Sequence, residues 1–238
     1  MRGCLFTLLL GAVALALLVV VGLPAVAAGI LTSGLAAAGL QADDTTVTVS
    51  SDPPTDLIGL RADRVRVRAT DARFRELRIG ALDVVLRDVA ILDRTARGID
   101  GELSDVTLTE VGDGSVTLDS ITLGGAGDRI TASTVVDGSE AETLIARAVE
   151  ARVGVAPESV RLSAPDRLRV DAGVLVEGRL SVSAGGDLVV RLADDPLGIG
   201  DIVLLRGGED LPIRLTDVRV TRAGDLRLDG DLSIAILG

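Results

Sequence analysis

The chain has 238 residues, of which 47% are hydrophobic and 25% charged, and its formal net charge is −11. It contains no histidine and no lysine, and its single thiol is Cys4, so imidazole bases, Schiff bases, cysteine–histidine pairs and the usual zinc ligands are excluded. We therefore predict a protein that is not an enzyme and that has no catalytic residue, no metal site and no cofactor.

One route to catalysis stays open to this composition, because two carboxylates alone can hydrolyse glycosides. Enzymes of that kind usually bind sugars with aromatic rings, and this chain has only Phe6 and Phe74. The shortage of aromatic rings also argues against nucleic acid as a partner, since single strands are bound by stacking.

The N-terminal region has the composition of a membrane or export segment. No residue between Gly3 and Leu40 is charged, and residues 4–23 are almost continuously apolar. About 20 such residues span a bilayer as a helix. Arg2 precedes the run and two aspartates follow it, which favours a cytoplasmic N-terminus.

The alternative is a cleaved signal peptide with Ala25-Val26-Ala27 as its processing site. We expect residues 1–40 to be a transmembrane anchor or a signal segment. Residues 41–238 then form an extracytoplasmic domain, held as a single-pass protein of the cytoplasmic membrane or secreted to the periplasm or cell envelope.

Alternation with a period of two dominates the rest of the chain and predicts half-buried strands. Glycine-containing turns separate many of these segments, for example at residues 112–114, 185–187 and 223–225. The predicted strands are 45–51, 63–69, 81–92, 103–111, 115–123, 167–183, 187–193, 211–220 and 225–237.

Two short patterns within this region are interpreted as structural: the first is spaced too irregularly for a solenoid repeat, and the second lacks the spacing of a calcium site. The sequences LRDVAI, LSDVTL and LTDVRV share an h-x-Asp-Val-x-h pattern, which we interpret as a strand motif with its aspartate facing solvent. The segment GGAGDRI (124–130) lacks the repeated spacing of a calcium site, so we predict a turn.

One segment has the period of a helix instead. In DGSEAETLIARAVEARVG the apolar positions Ala141, Leu144, Ile145, Ala148 and Val149 follow a single helical face. Ser139 and Glu142 have capping-box spacing, and Gly154 stands where a helix ends. We predict an α+β fold, a curved antiparallel sheet wrapped on this amphipathic helix. Its apolar face is either ordinary core or the wall of a lipid cavity.

A basic segment follows two prolines in this acidic chain. Residues 61–97 carry ten arginines against six acids, a net charge of +4. We expect the apolar step Leu57, Ile58 and Leu60 to contact acyl chains, and the arginines at 61, 64, 66 and 68 to bind phosphate. The alternative is that Arg61, Arg64, Arg66 and Arg68 lie on a solvated strand face. There they would pair with acids on neighbouring strands.

The order of these elements resembles the LmeA-like family of phospholipid-binding envelope proteins, known mainly from actinobacteria. The residues that carry the resemblance lie in the segments TVTVSSDPPTDLIGLRADRVRV and LDVVLRDVAI and in the helix from Ser139 to Leu144. Thr55 stands where the family usually has an aromatic residue after the proline. The resemblance implies a tubular lipid-binding fold, in which a sheet curls about a helix around an apolar groove.

These observations together predict a non-catalytic protein that binds phospholipid, or an anionic membrane surface, in the cell envelope, and that handles phospholipid or a lipid-linked glycan. The predicted lipid contacts are Leu57, Ile58, Leu60, Leu144, Ile145 and Val149. The alternative is a structural or protein-interaction module of the envelope, with a closed core and an envelope protein as its partner.

Overall fold

The computed structural model describes residues 23–37, 39–74, 77–93, 95–111, 114–127, 129–193, 200–207 and 213–232. Nearly all of the apolar run at residues 4–23, on which the anchor and signal predictions depend, lies outside these residues. Among the helices that are described, none is both long and apolar enough to cross a membrane.

The described residues form two α-helices, one 3-10 turn and fourteen strands. The helices are α1 (Leu23–Ala37) and α2 (Gly138–Val153), and the 3-10 turn is Pro54–Gly59. The strands are β1 (Leu40–Gln41), β2 (Asp44–Ser50), β3 (Arg61–Phe74), β4 (Leu77–Ala90), β5 (Gly98–Val111), β6 (Gly114–Ala126), β7 (Arg129–Val136), β8 (Ser159–Ser163), β9 (Arg167–Asp171), β10 (Leu175–Val182), β11 (Leu188–Leu192), β12 (Ile202–Leu205), β13 (Ile213–Val220) and β14 (Leu226–Leu232).

The strands form two sheets in which neighbouring strands are antiparallel. The larger sheet has the order β3-β4-β5-β6-β7-β14-β13, and both β1 and β2 pair with β3 at its edge. The smaller sheet has the order β12-β11-β10-β9-β8. The mostly antiparallel β architecture with few helices confirms the predicted α+β class. The segment 167–183, predicted as one strand, is instead the β9–β10 hairpin, because Gly173 turns the chain at a φ of 80°.

The strands of the larger sheet keep an apolar inner face although the alternation of inward and outward side chains is interrupted. In β5, Leu103 and Val106 both face the core, and the two residues between them, Ser104 and Asp105, face away. Asp105 has a positive φ of 53°, a conformation that aspartate tolerates better than most residues. The Asp-Val motif therefore does more than place an aspartate on the solvent face, since it marks a kink in the strand.

The kink in β5 is in line with one in β3, where Asp71 has a φ of 47°. On one side of the kink, the cross-strand row contains Thr70, Ala81, Ser104 and Ser120. On the other side, it contains Ala72, Ile79, Val106 and Leu118. The row between them contains Asp71, Gly80, Asp105 and Asp119. A Cβ on Gly80 would lie 2.8 Å from the Cβ of Asp105, so this row requires glycine there. Aligned kinks bend a sheet along a line.

Helix α2 begins and ends close to the predicted residues, but its N-terminal cap differs. Asp137, not Ser139, is the N-cap, and its carboxylate accepts a hydrogen bond from the Ser139 backbone N–H at 2.8 Å. Glu142 accepts instead from the Leu162 backbone N–H at 3.2 Å, which ties the helix to β8. The predicted capping box is therefore wrong, because the helix starts earlier. Gly154 ends it in the left-handed conformation, as predicted.

Two apolar clusters cover the inner face of the larger sheet. The α2 core is formed by the apolar face of α2 together with inner residues of both sheets. The α1 core lies at the other end, where Ala27, Val49, Leu57, Val65 and Ile91 are buried and α1 packs on β2 and the 3-10 turn. Helix α1, in the segment predicted as an anchor or signal, thus packs against the domain.

Candidate functional site

The helix residues predicted to contact lipid lie inside the α2 core. Ile145 is fully buried, and Leu144 and Val149 are 9% and 4% exposed. The cavity between α2 and the two sheets measures only about 20 Å³, which is room for about one water molecule. Leu144 lines it together with apolar residues of both sheets. In this structure the space is too small for an acyl chain, so these three side chains serve as core.

A different part of the inner face is apolar but only partly buried. Leu82 and Leu86 of β4 are partly buried and pack against both the α1 core and the α2 core. Their cross-strand partners on β5 are Leu103 and Ile99, which are also partly buried. We call these four residues the inner strip: Leu82, Leu86, Ile99 and Leu103.

At the centre of the inner strip, Gly101 of β5 stands opposite Val84 of β4. A Cβ on Gly101 would lie 2.8 Å from the Cγ2 atom of Val84, so the close approach of the two strands requires glycine at this position. The side chain of Val84, which is 9% exposed, therefore covers Gly101, and the strip forms a continuous row of aliphatic side chains. Such a surface can accept a linear apolar chain.

The apolar step before β3 is divided between core and surface. Leu57 is 2% exposed and lies in the α1 core, and Leu60 packs against the same core from a left-handed conformation with a φ of 53°. Only Ile58, which is 67% exposed, projects into solvent. Of the three predicted acyl contacts in this step, Ile58 alone is available at the surface.

Two of the four predicted phosphate-binding arginines are paired with an acid. Arg66 binds Asp83 through two hydrogen bonds, with Nε–Oδ1 at 2.7 Å and Nη2–Oδ2 at 2.5 Å, and Arg68 Nε lies 3.2 Å from Oδ2. The hydrogen bond from Arg66, with a further one from Arg68, lowers the pKa of Asp83 to about 2. Arg66 and Arg68 therefore follow the alternative interpretation, in which arginines pair with acids across the sheet.

The other two arginines have different surroundings. Arg64 faces Arg87 of β4, and Arg87 in turn pairs with Asp100 of β5. Arg61 lines an open cleft with Arg97, and that cleft also contains Asp56, Asp63, Asp88 and Asp93. Four carboxylates around two arginines make a poor site for an anionic phosphate, so the structure does not favour phosphate binding at Arg61.

The arginines and the inner strip lie on opposite faces of the larger sheet. Arg66 stands on the outer face, whereas its chain neighbours Val65 and Val67 are buried in the α1 core on the inner face. A lipid lying along the inner strip would thus not reach Arg66 or Arg68 with its phosphate. The predicted apolar and phosphate contacts do not form one continuous site.

The segment GGAGDRI was predicted as a turn, but it supplies the end of β6 and the start of β7, and the described turn residue between the two strands is Gly127, with a φ of 68°. Within the described part of the chain, no group of three or more histidine, cysteine or acidic residues is placed to hold a metal ion.

The inner strip was not predicted as a site, although the sequence LDVVLRDVAI contains two of its leucines. Alternation shows which side chains face inward. It does not show that these side chains are only partly buried in the fold, which depends on distant parts of the chain.

Comparison of the chain with protein-family models, with curated proteins and with solved structures yields no match. The resemblance to the LmeA-like family remains a prediction from sequence patterns.

Proposed function

We propose that the protein is a non-catalytic phospholipid-binding protein of the cell envelope, which holds an acyl chain against the inner strip. The observation that carries this proposal is that Leu82, Leu86, Ile99 and Leu103 are only partly buried, between two well-packed cores. A row of apolar side chains that the fold leaves partly uncovered offers a contact for an apolar ligand.

The energetics favour an apolar ligand at this place. Removing apolar surface from water stabilises a complex by roughly 25 cal/mol per Å². An acyl chain along the four side chains would cover surface that the rest of the domain leaves wet. Because the inward positions between these side chains are Val84 and Gly101, which carry no charge, the strip supplies affinity for the chain but no recognition of the headgroup.

The resemblance to the LmeA-like family and the apolar N-terminal run support the location that we propose. Both indicate an envelope protein whose domain lies outside the cytoplasmic membrane, either anchored there or released after cleavage. An actinobacterial type of envelope fits the same resemblance.

The second candidate is an envelope interaction module with a closed core. Two observations favour it: the cavity of about 20 Å³ beneath α2, and the pairing of Arg66 and Arg68 with Asp83. In that case a partner protein would cover the inner strip, or the strip would remain in contact with water.

Native mass spectrometry of the full-length protein, purified in mild detergent, distinguishes these candidates. We expect phospholipid to remain bound to the wild type and to be lost from a Leu86→Asn/Leu103→Asn variant. Leu175→Asn is a matched control, because Leu175 is 55% exposed at the distant β9–β10 hairpin. Lipid retained equally by all three proteins, or absent from all, would contradict binding at the strip.

A further inference from the structure

Four large aliphatic side chains are exposed near the end of the larger sheet where β3 begins and β4 ends. Ile58 is 67% exposed in the 3-10 turn, and Leu92 is 74% exposed directly after β4. Val26 and Ile30, at 61% and 48%, lie one turn apart on the outward side of α1. We call these four residues the tip.

The backbone that carries the tip is well tied down. The Ile91 backbone N–H donates to the Leu60 carbonyl oxygen at 2.9 Å, which joins the 3-10 turn to the end of β4. Ala90 and Thr95 exchange two backbone hydrogen bonds of 2.9 and 3.2 Å, which close the loop that presents Leu92. Leu57 and Ile91, the neighbours of the exposed residues, are buried in the α1 core. Ile58 and Leu92 are thus held outward by ordered structure.

The N-terminal half of α1 reaches the same end of the domain. Ala27, in its first turns, is 2% exposed and belongs to the same cluster as Leu57 and Ile91, and α1 contacts the 3-10 turn. The residues that precede α1, from Gly3 onward, carry no charge and are mostly apolar. A chain that leaves a bilayer through this segment therefore enters the domain beside the tip.

We infer that the tip docks on a lipid bilayer and inserts Ile58 and Leu92 into its interfacial region. This inference rests on the membrane location in the proposed function, but not on lipid binding at the inner strip. A bilayer is the occupant because the adjoining chain segment itself requires an apolar phase, and because three separate elements present aliphatic side chains at one end.

The charges around the tip decide how it docks. Asp56 lies in the 3-10 turn, Asp93 follows Leu92, and the nearby cleft adds Asp63 and Asp88 to Arg61 and Arg97. Among the described residues of this cleft acids outnumber arginines, so these residues offer an anionic leaflet no net attraction. Docking by apolar insertion should depend weakly on headgroup charge and on salt.

The test uses the full-length chain with Cys4→Ser, reconstituted into phosphatidylcholine vesicles. A single environment-sensitive fluorophore is attached at Ile58→Cys, at Leu92→Cys or, as a control, at Leu175→Cys. A nitroxide quencher attached near the headgroup end of the acyl chain reports contact with the bilayer. We expect several-fold stronger quenching at positions 58 and 92 than at 175, unchanged at high salt and when anionic lipid is added.

Equal quenching at the three positions would overturn the inference, and quenching that disappears at high salt would overturn apolar docking. Spontaneous disulfide formation between two Ile58→Cys chains in the vesicles would place a second copy at the tip, which also contradicts bilayer contact. The Leu86→Asn/Leu103→Asn variant separates the two proposals. It should lose bound phospholipid yet keep tip quenching, whereas lipid retention without tip quenching contradicts docking alone.

Discussion

The α2 core and the inner strip use the same kind of residue on the same face of one sheet, yet their surroundings differ. Beneath α2, the smaller sheet and the helix close over the larger sheet and leave a cavity of about 20 Å³. At the inner strip, Leu82, Leu86, Ile99 and Leu103 remain partly exposed between this core and the α1 core.

The difference shows that an apolar strand face does not by itself identify a binding surface. Leu144, Ile145 and Val149 have the periodicity expected of either core or cavity wall, and they are buried as core. The strip residues have the ordinary alternation of a strand, and they are the ones left accessible. The helix residues and the strip residues differ in how far distant elements of the chain cover them.

The largest loss of stability is expected from a substitution in the α2 core. Leu144→Asp would bury an unpaired carboxylate in the α2 core and should lower the free energy of unfolding by several kcal/mol. Urea unfolding followed by circular dichroism measures this change. Arg147→Ala, on the exposed side of the same helix, should stay within about 0.5 kcal/mol. An unchanged midpoint for Leu144→Asp would mean that α2 does not pack as described.

The adjacent residues Leu57 and Ile58 allow the same comparison of a buried and an exposed side chain at the α1 core. Leu57→Asp should destabilise the protein by several kcal/mol because Leu57 is 2% exposed, whereas Ile58→Asp should change stability by less than about 0.5 kcal/mol. Thermal unfolding of the two variants under one condition is sufficient. Equal losses would show that the 3-10 turn is packed differently.

A smaller effect is expected at the strip. Leu103→Ala should cost about 1–2 kcal/mol, less than a fully buried leucine, because its side chain is already partly exposed. Added phospholipid should raise the Tm of the wild type more than that of Leu86→Ala/Leu103→Ala, since a ligand stabilises only the state that binds it. The same lipid-induced rise in both proteins would place the lipid elsewhere.

The smallest effect concerns the outer face. The pKa of Asp83 is lowered to about 2, so its ion pairs stabilise the fold above its ordinary pKa near 4 and lose that contribution as the pH falls towards 2. Because Arg66 and Asp83 are each more than 40% exposed, Asp83→Asn should cost below about 1 kcal/mol at neutral pH. The difference between variant and wild type should shrink in acid; a difference that persists at pH 2 would point to another cause.

The sequence was sufficient for the features that depend on local pattern. Alternation predicted most strands of the larger sheet, and the helical period predicted α2 and its end at Gly154. Strands β1, β7, β8 and β12 were missed because they are short or follow a glycine-rich turn. The aligned kinks are visible as pairs of polar residues between apolar ones, but that pattern alone indicates no more than a solvent-facing aspartate.

Features that depend on distant parts of the chain could not be predicted. Val136 of β7 pairs with Leu226 of β14, although about 90 residues separate them, and no local pattern specifies that partner. The separation into two sheets and the partly buried strip follow from such pairings. For the same reason, Asp83 could not be identified as the particular acid that binds Arg66 and Arg68.

The central claim is that a phospholipid acyl chain lies on the inner strip, and position-specific photocrosslinking tests it most directly. A photoreactive amino acid replaces Leu103 in the strip or, in a matched variant, Val135, which is 44% exposed on the outer face of β7. The full-length proteins are illuminated with bound lipid and analysed by intact mass. We expect a phospholipid adduct at position 103 and little at 135. Equal adducts at both positions, or none at 103, would contradict the account.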